Sequence, residues 1–254
     1  MKINRRQFVR NLGLGTASLS MGSLISTSSC APSGDSRDKR GKVSDDDQFL
    51  FIGDDIAIAQ TEYGKVQGYL LNHVYTFLGV PYGADTSGKN RFMPPQKPEP
   101  WTDVRPAVFY GNTAPQRMEN RWPNNYGTFA DHWNYWDVSE DCLYLNVWTP
   151  GIADGKKRPV LVWLHGGGFT NGSGIEQDGY HGENISREGD IVFCSINHRL
   201  GPIGFSDLSG VGGEAYKDSG NVGMLDIIAA LRWVHDNIAN FGGDPGNVTV
   251  MGQS

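Results

Sequence analysis

The chain contains a serine whose surroundings could make it a nucleophile. Ser254 follows Gly252 and Gln253 directly after the apolar run VTVM, which is the first half of a Gly-x-Ser-x-Gly turn. Glycines flank the serine of such a turn because the passage from strand to helix is strained and leaves no room for a Cβ atom. Gly-x-Ser alone is common, so the prediction of a nucleophile depends on its position after a buried strand.

A glycine triplet could supply the second part of the same chemistry. The apolar run RPVLVWL is followed by His165, then by three glycines at 166–168, and then by Phe169. Without side chains in the way, backbone N–H groups can converge on a small anion and stabilise the oxyanion of an acyl-transfer intermediate, each by about 3 kcal/mol. A lone glycine triplet is also typical of an ordinary loop. Both motifs together favour acyl transfer.

The elements that must position these motifs are strands and one helix. The continuous apolar runs RPVLVWLHGGG, DIVFCSINHRLG and NVTVMGQS predict strands that are covered on both faces. Between the last two, a helix from near Asn221 to Gly242-Gly243 is predicted by apolar residues at helical spacing, namely Ile227, Leu231, Val234 and Ile238. Strand, helix and strand in this order imply a parallel sheet, in which active groups gather at the carboxyl ends of the strands.

The preceding part of the chain predicts a different arrangement. The stretches IAIAQTEYGKVQGYLL and VYTFLGVPYG are typical of short strands at an antiparallel edge, and residues 84–138 predict long ordered loops. No internal repeat is present, so residues 49–254 are predicted to form one domain.

Composition and charge exclude several classes of protein. The 254 residues include 38% hydrophobic and 20% charged residues, an ordinary globular balance. A net charge of −6 and few basic patches argue against a nucleic-acid partner. The three cysteines, Cys30, Cys142 and Cys194, are too scattered for a disulfide framework. We expect neither a metal nor a cofactor.

Residues 1–30 predict an export signal. Basic residues come first, and the weakly apolar residues 12–25 that follow are too short and too polar to span a bilayer. The pair Arg5-Arg6 resembles the twin-arginine signal of bacteria, and the alternative is an ordinary Sec signal that carries two arginines. Either signal predicts a location in the periplasm or cell envelope.

Cys30 and the residues after it raise the question of a lipid anchor. Cys30 stands where a lipoprotein signal places its modified cysteine, and residues 31–48 have the composition of a flexible linker. Thr27, Ser28 and Ser29 form a poor lipobox, however. A lipid anchor and a plain cleaved signal therefore both stay open.

From about Thr61 to Ser254 the chain resembles the N-terminal portion of a type B carboxylesterase, in the cholinesterase-like branch of the α/β-hydrolases. The resemblance is carried by blocks in the family's order, which are FLGVPY at 77–82, RF at 91–92, PW at 100–101, SEDCLYLN at 139–146, HGGGF at 165–169, NHRLG at 197–201 and the run at 220–254. It implies an incomplete α/β-hydrolase fold, with a mixed, mostly parallel sheet and an antiparallel N-terminal part. It also implies hydrolysis of a small-molecule ester through an acyl-serine at Ser254, with the N–H groups of Gly167 and Gly168 as oxyanion donors.

The family's acid and base are not matched by any residue of the chain. All six histidines precede Ser254, at positions 73, 132, 165, 181, 198 and 235, whereas α/β-hydrolases use the chain order serine, acid, histidine. A serine hydroxyl without a base is a weak nucleophile. We therefore expect the 254 residues to be a fragment that is inactive by itself.

The resemblance also implies structural roles. Arg91 with Glu140, and Arg199 with Asp226, resemble the family's two internal ion pairs, and acid–base work by these carboxylates is the less favoured alternative. Many relatives pair the cysteine of the SEDC block with another cysteine. Ala114 occupies that partner position, so Cys142 is expected to be a free buried thiol, and Cys194 likewise.

The substrate wall is expected to include Phe169, Trp133 and Trp136. The two tryptophans lie near the position where cholinesterase relatives place a gorge tryptophan, and the alternative is a loop packed on its own rings. A catalytically silent binding or adhesion protein is the alternative from another class. Such relatives often lack the serine or the glycines, and both are present here. The sequence predicts neither the ester nor the oligomeric state.

Overall fold

A computed structural model describes residues 49–117 and 137–253. The strands are β1 (Leu50–Phe51), β2 (Ile58–Gln60), β3 (Lys65–Gln67), β4 (Tyr69–Leu71), β5 (Val74–Pro81), β6 (Arg105–Pro106), β7 (Tyr144–Thr149), β8 (Arg158–Leu164), β9 (Val192–Ile196) and β10 (Gly243–Gly252). The α-helices are α1 (Glu183–Gly189), α2 (Gly201–Phe205), α3 (Ser209–Gly212) and α4 (Val222–Asn237). Short 3-10 turns cover Gly88–Asn90, Asp178–Tyr180, Glu214–Tyr216, Ser219–Asn221 and Ile238–Phe241.

The larger of two sheets changes from antiparallel to parallel across its width. Its strand order is β1-β4-β5-β7-β9-β8-β10, and a second sheet has the order β2-β3-β6. The first four pairings, from β1 to β9, are antiparallel, while β9 with β8 and β8 with β10 are parallel. The prediction of a mixed sheet with an antiparallel N-terminal part is confirmed. The strands β9, β8 and β10 end at the same edge.

Both faces of the central strands are covered, which explains their continuous apolar sequence. Val192, Cys194 and Ile196 of β9 belong to the main core cluster together with Ile227 and Val234 of α4. The alternate residue Phe193 belongs to a second cluster with Trp148. Because successive side chains of a strand point to opposite faces, the two clusters cover the two faces of the sheet.

The predicted helix and its end are confirmed. α4 buries Ile227, Ala230 and Val234, and the following 3-10 turn buries Ile238. The turn ends at Gly242, whose φ of 77° lies in the left-handed region. A Cβ atom there would lie 2.2 Å from the carbonyl oxygen of Gly151, so only glycine fits. This turn delivers the chain into β10.

The two described cysteines are buried free thiols, as predicted. Burial raises the pKa of both the Cys142 and the Cys194 thiol, so neither is a reactive thiolate at neutral pH. Both lie in the core cluster beside the sheet. Their role is packing.

Several predictions lie outside the described residues. These are the export signal at 1–30 with Cys30, the linker at 31–48, the two tryptophans Trp133 and Trp136, and Ser254 itself. Within residues 49–117 and 137–253, no helix has the length and apolar character needed to cross a bilayer.

Candidate active site

Two neighbouring parallel strands bring both sequence motifs to one edge of the sheet. β8 ends at Leu164, directly before His165, and β10 ends at Gly252, directly before Gln253. The register pairs Gly252 with Leu164, and the N–H of Gln253 donates to the carbonyl oxygen of Leu164 at 3.1 Å. A Cβ atom on Gly252 would lie 2.7 Å from that oxygen, so the close approach requires glycine. The residue that precedes Ser254 in the chain thus lies beside the start of the glycine triplet.

The segment at 165–172, called the glycine loop below, has a left-handed backbone at three successive residues. Gly167, Gly168 and Phe169 have φ values of 114°, 59° and 61°. The loop closes on itself, because the carbonyl oxygen of Gly167 accepts the N–H groups of Thr170 at 3.1 Å and Asn171 at 3.3 Å. A Cβ atom on Gly167 would lie 2.1 Å from the carbonyl oxygen of Asn171, whereas one on Gly168 would meet nothing within 4 Å.

The loop leaves two adjacent backbone donors available. Among the described residues, the N–H groups of Gly167 and Gly168 donate to no protein acceptor. Successive N–H groups in such a turn form a concave site for an anion. Preorganised donors of this kind can stabilise the developing charge of a tetrahedral intermediate.

Gln116 fixes the far end of the glycine loop. Its side-chain amide donates to the carbonyl oxygen of Gly172 and accepts the N–H of Gly172, both at 2.8 Å. Gly172 in turn packs against His165, since a Cβ atom on Gly172 would lie 2.3 Å from His165 Nδ1. Nδ1 donates to the carbonyl oxygen of Gly166 at 2.8 Å. Sequence reasoning missed the role of Gln116, which lies 56 residues before Gly172.

Tyr180 fixes the residue that precedes Ser254. Its hydroxyl donates to Oε1 of Gln253, and its ring packs on Trp163 of β8 with the centroids 4.9 Å apart. Tyr180 is buried at the end of its 3-10 turn. Sequence reasoning did not identify Tyr180, because nothing in the spacing of the motifs indicates a contact across 73 residues.

Comparison with known proteins supports what the motifs and this geometry indicate. The family model described as "Carboxylesterase family" matches residues 55–254. The chain belongs to the carboxylesterase family. The resemblance that the motifs predicted is therefore confirmed.

Two curated relatives are bacterial enzymes, and one is a cholinesterase. The chain is 44% identical over 200 residues to a para-nitrobenzyl esterase of Bacillus subtilis (strain 168), covering 78% of this chain and 38% of the relative. It is 45% identical to a phenmedipham hydrolase of Pseudarthrobacter oxydans, with 78% and 37% covered. It is 40% identical to an acetylcholinesterase of Electrophorus electricus, with 81% and 34% covered. The chain thus spans less than half the length of these relatives.

Solved structures agree on the fold. An esterase from Clostridium hathewayi superposes with a TM-score of 0.75 at 43% identity, over 82% of this chain and 40% of that one. A carboxylesterase from Geobacillus stearothermophilus gives a TM-score of 0.68 at 42% identity, over 77% and 37%. The sheet of this carboxylesterase chain is therefore that of the α/β-hydrolases.

Of the three residues predicted for the substrate wall, the structure describes Phe169. Phe169 follows Gly168 in the glycine loop and is 53% exposed. Its ring packs against Phe205 of α2 at a centroid distance of 5.1 Å.

One of the two predicted ion pairs is buried. Arg199 contacts Asp226 through Nε at 2.8 Å, Nη2 at 2.7 Å and its backbone N–H at 3.0 Å, and the two side chains are 1% and 0% exposed. Burial raises the pKa of the Asp226 carboxyl, and the contacts with Arg199 oppose that rise. With both oxygens occupied by Arg199, Asp226 ties the segment after β9 to α4.

The other ion pair is bidentate but lies at the surface. Arg91 donates through Nε at 2.7 Å and Nη2 at 2.6 Å to Glu140. The expectation of an internal pair is wrong for Arg91, whose side chain is 46% exposed because it follows the exposed 3-10 turn Gly88–Asn90.

Among the described residues, no group of three or more His, Cys, Asp or Glu side chains could hold a metal ion.

Proposed function

We propose that the protein is a serine carboxylesterase in which Ser254 forms the acyl-enzyme. The observation that carries the proposal is the contact between the ends of β8 and β10, where the N–H of Gln253 donates to Leu164. It brings the residue bonded to Ser254 beside the loop in which the N–H groups of Gly167 and Gly168 donate to no acceptor in the described part of the chain. Membership of the carboxylesterase family supports the same chemistry.

In the proposed reaction, Oγ of Ser254 attacks the ester carbonyl carbon while a general base takes its proton. The carbonyl oxygen becomes an oxyanion and accepts the N–H groups of Gly167 and Gly168. The intermediate then expels the alcohol, which takes the proton from the base, and water hydrolyses the acyl-serine by the same steps. We propose that the acid and the base follow Ser254 in the complete coding sequence, because this is the family's chain order.

The substrate is proposed to be a small carboxylic ester that contacts Phe169. The exposed aromatic ring of the residue that follows the proposed donor Gly168 favours esters with an apolar acyl or alcohol group. The relative named para-nitrobenzyl esterase makes esters with an aromatic ring in the alcohol part a sensible first choice. We further propose that the protein acts after export, on the strength of the signal-like residues 1–30.

The test uses the natural protein, expressed with its complete coding sequence, and p-nitrophenyl acetate and butyrate as substrates. Ser254→Ala is expected to abolish turnover, while Ser209→Ala, which truncates an exposed serine at the start of α3, leaves it unchanged. A fluorophosphonate should label the protein once, and mass spectrometry should find the added phosphonyl group on the peptide that contains Ser254. Retained turnover in Ser254→Ala would refute the assignment. Absence of both turnover and labelling in the natural protein would favour the catalytically silent binding protein.

A further inference from the structure

His198 has a buried ring that lies flat against the ring of His165. It follows β9 in the chain, and its side chain is 3% exposed. The two ring centroids are 4.8 Å apart and the ring planes differ by 5°. His165 is the first residue of the glycine loop, so His198 supports the loop at its beginning.

The segment around His198 also contacts the other side of the glycine triplet. The ring of Phe169, which follows the triplet, meets the His198 ring edge-on at a centroid distance of 6.5 Å and an angle of 61°. The N–H of Gly201 donates to the carbonyl oxygen of Phe169 at 2.7 Å. The residues on both sides of the three glycines therefore rest on the segment at 197–201.

This segment is itself firmly anchored. Arg199 is held by its three contacts with the buried Asp226. Asn197 accepts the N–H of Gly174 at 2.8 Å and donates to the carbonyl oxygen of Asn112 at 3.0 Å. Nδ1 of His198 donates to the carbonyl oxygen of Arg199 at 2.9 Å, which fixes the orientation of the ring. His198 therefore offers a rigid flat surface to the loop.

We infer that His198 is a positioning residue of the oxyanion hole, holding the N–H groups of Gly167 and Gly168 in place through its stacked ring; this rests on the proposed esterase function. Glycines have more backbone freedom than any other residue, and the free N–H groups of the triplet make no bond within the described protein that would hold them. The carbonyl oxygens of Gly166 and Gly167 accept hydrogen bonds within the loop, and the contacts of the flanking residues His165 and Phe169 with His198 add to this support. A misplacement of about 1 Å in a catalytic group can lower the rate by 10²-fold.

The test compares two substitutions of His198 in the natural protein with its complete coding sequence. His198→Ala removes the ring, and kcat for p-nitrophenyl butyrate should fall by about 10-fold or more, with KM changed by less than about threefold. His198→Phe keeps a flat ring and loses only the hydrogen bond to Arg199, so kcat should stay within about threefold of the natural value. The inhibition constant of a trifluoromethyl ketone, whose adduct carries an oxyanion, should rise with His198→Ala in proportion to the loss of kcat.

A second readout does not depend on catalysis. Hydrogen exchange of the peptide that contains 165–172 should accelerate in His198→Ala and not in His198→Phe. Phe241→Leu is the matched control, since it truncates a buried ring that packs on Phe77 at the other end of the sheet. It should lower thermal stability while kcat and loop exchange stay unchanged.

The outcomes separate the inference from the function on which it rests. Equal kcat and equal loop exchange in His198→Ala and the natural protein would overturn the positioning role, as would equal losses in the Ala and Phe variants. A natural protein that cleaves no ester would instead refute the proposed function. The exchange comparison would in that case still decide whether His198 holds the loop.

Discussion

The substitution Gly167→Ala tests the role of the glycine loop most directly. A Cβ atom on Gly167 would lie 2.1 Å from the carbonyl oxygen and 2.3 Å from Oδ1 of Asn171, distances below 3.0 Å that real Cβ contacts essentially never show. The backbone would have to shift by about 1 Å to relieve the contact, and a shift of this size is enough to lower catalysis by 10²-fold. Loss of one oxyanion donor lowers kcat by about 10²- to 10³-fold, or about 3–4 kcal/mol. We expect Gly167→Ala to fall in this range.

The assay is steady-state hydrolysis of p-nitrophenyl butyrate by the natural protein with its complete coding sequence, with kcat and KM determined separately. Gly155→Ala is the control for backbone strain, because Gly155 has a φ of 72° in a turn before β8, and a Cβ atom there would meet nothing within 4 Å. Both substitutions place alanine in the left-handed region, at a cost of about 1–2 kcal/mol, but Gly155→Ala should keep its full kcat. Gly168→Ala has the strain without the clash and should lose less activity than Gly167→Ala. A kcat for Gly167→Ala within threefold of that for Gly155→Ala would refute the reasoning.

Four further predictions concern stability, pH, export and lipidation. Asp226→Asn should lower the free energy of unfolding by about 3–5 kcal/mol in urea titrations, because it leaves the charge of Arg199 buried and uncompensated. Glu140→Gln at the surface pair should lower it by less than about 1 kcal/mol. Equal effects of the two substitutions would contradict the explanation by burial. Burial lowers the pKa of the His198 imidazole from 6.5, and the nearby Asp226 carboxylate partly opposes this decrease. As the pH falls, the unfolded chain therefore binds the proton before the folded chain does. The contribution of the neutral imidazole to the free energy of unfolding is complete above pH 6.5 and is lost as the pH falls below that value. His198→Phe should make that loss shallower by at most about 1.4 kcal/mol per pH unit, and an unchanged slope would exclude His198 as a contributor. Replacing Arg5 and Arg6 by lysine should retain the protein in the cytoplasm if the twin-arginine pathway reads the signal, while export that persists would indicate the Sec pathway. If Cys30 is lipidated, radiolabelled palmitate should label the natural protein and should not label the Cys30→Ser variant.

The elements that carry the site could be predicted because their signals are local. Apolar runs predicted β8, β9 and β10. The helical spacing of Ile227, Val234 and Ile238 predicted α4 and the 3-10 turn that continues it to Gly242. The glycine loop was identified because three glycines in a row have few structural explanations. In each case the cause acts within a few residues, so the sequence contains it.

The contacts that fix the site could not be predicted, because they depend on residues far apart in the chain. Gln116 meets Gly172, and Tyr180 meets Gln253, only after the sheet has formed. The exposure of Arg91 was also missed. The family's sequence pattern indicates which two residues form the ion pair, but it does not reveal how much of the pair is exposed to water. Tertiary packing decides these points, and spacing along the chain does not.

The strand order explains how one loop can meet a support and a nucleophile at once. β8 is neither first nor last among the three parallel strands, since β9 lies on one side of it and β10 on the other. The register aligns Ile196, Leu164 and Gly252 in one row, so the three chains leave the sheet together. The segment that follows β9 brings His198 against the glycine loop from one side, and the end of β10 brings Gln253 from the other. A shift of β8 by one residue against either neighbour would move the loop by about 3.3 Å, which is larger than the tolerance of an oxyanion hole. The position of the loop therefore depends on the pairing of β8 with both β9 and β10. We expect substitutions that alter the packing beneath β8 to lower kcat before they unfold the protein.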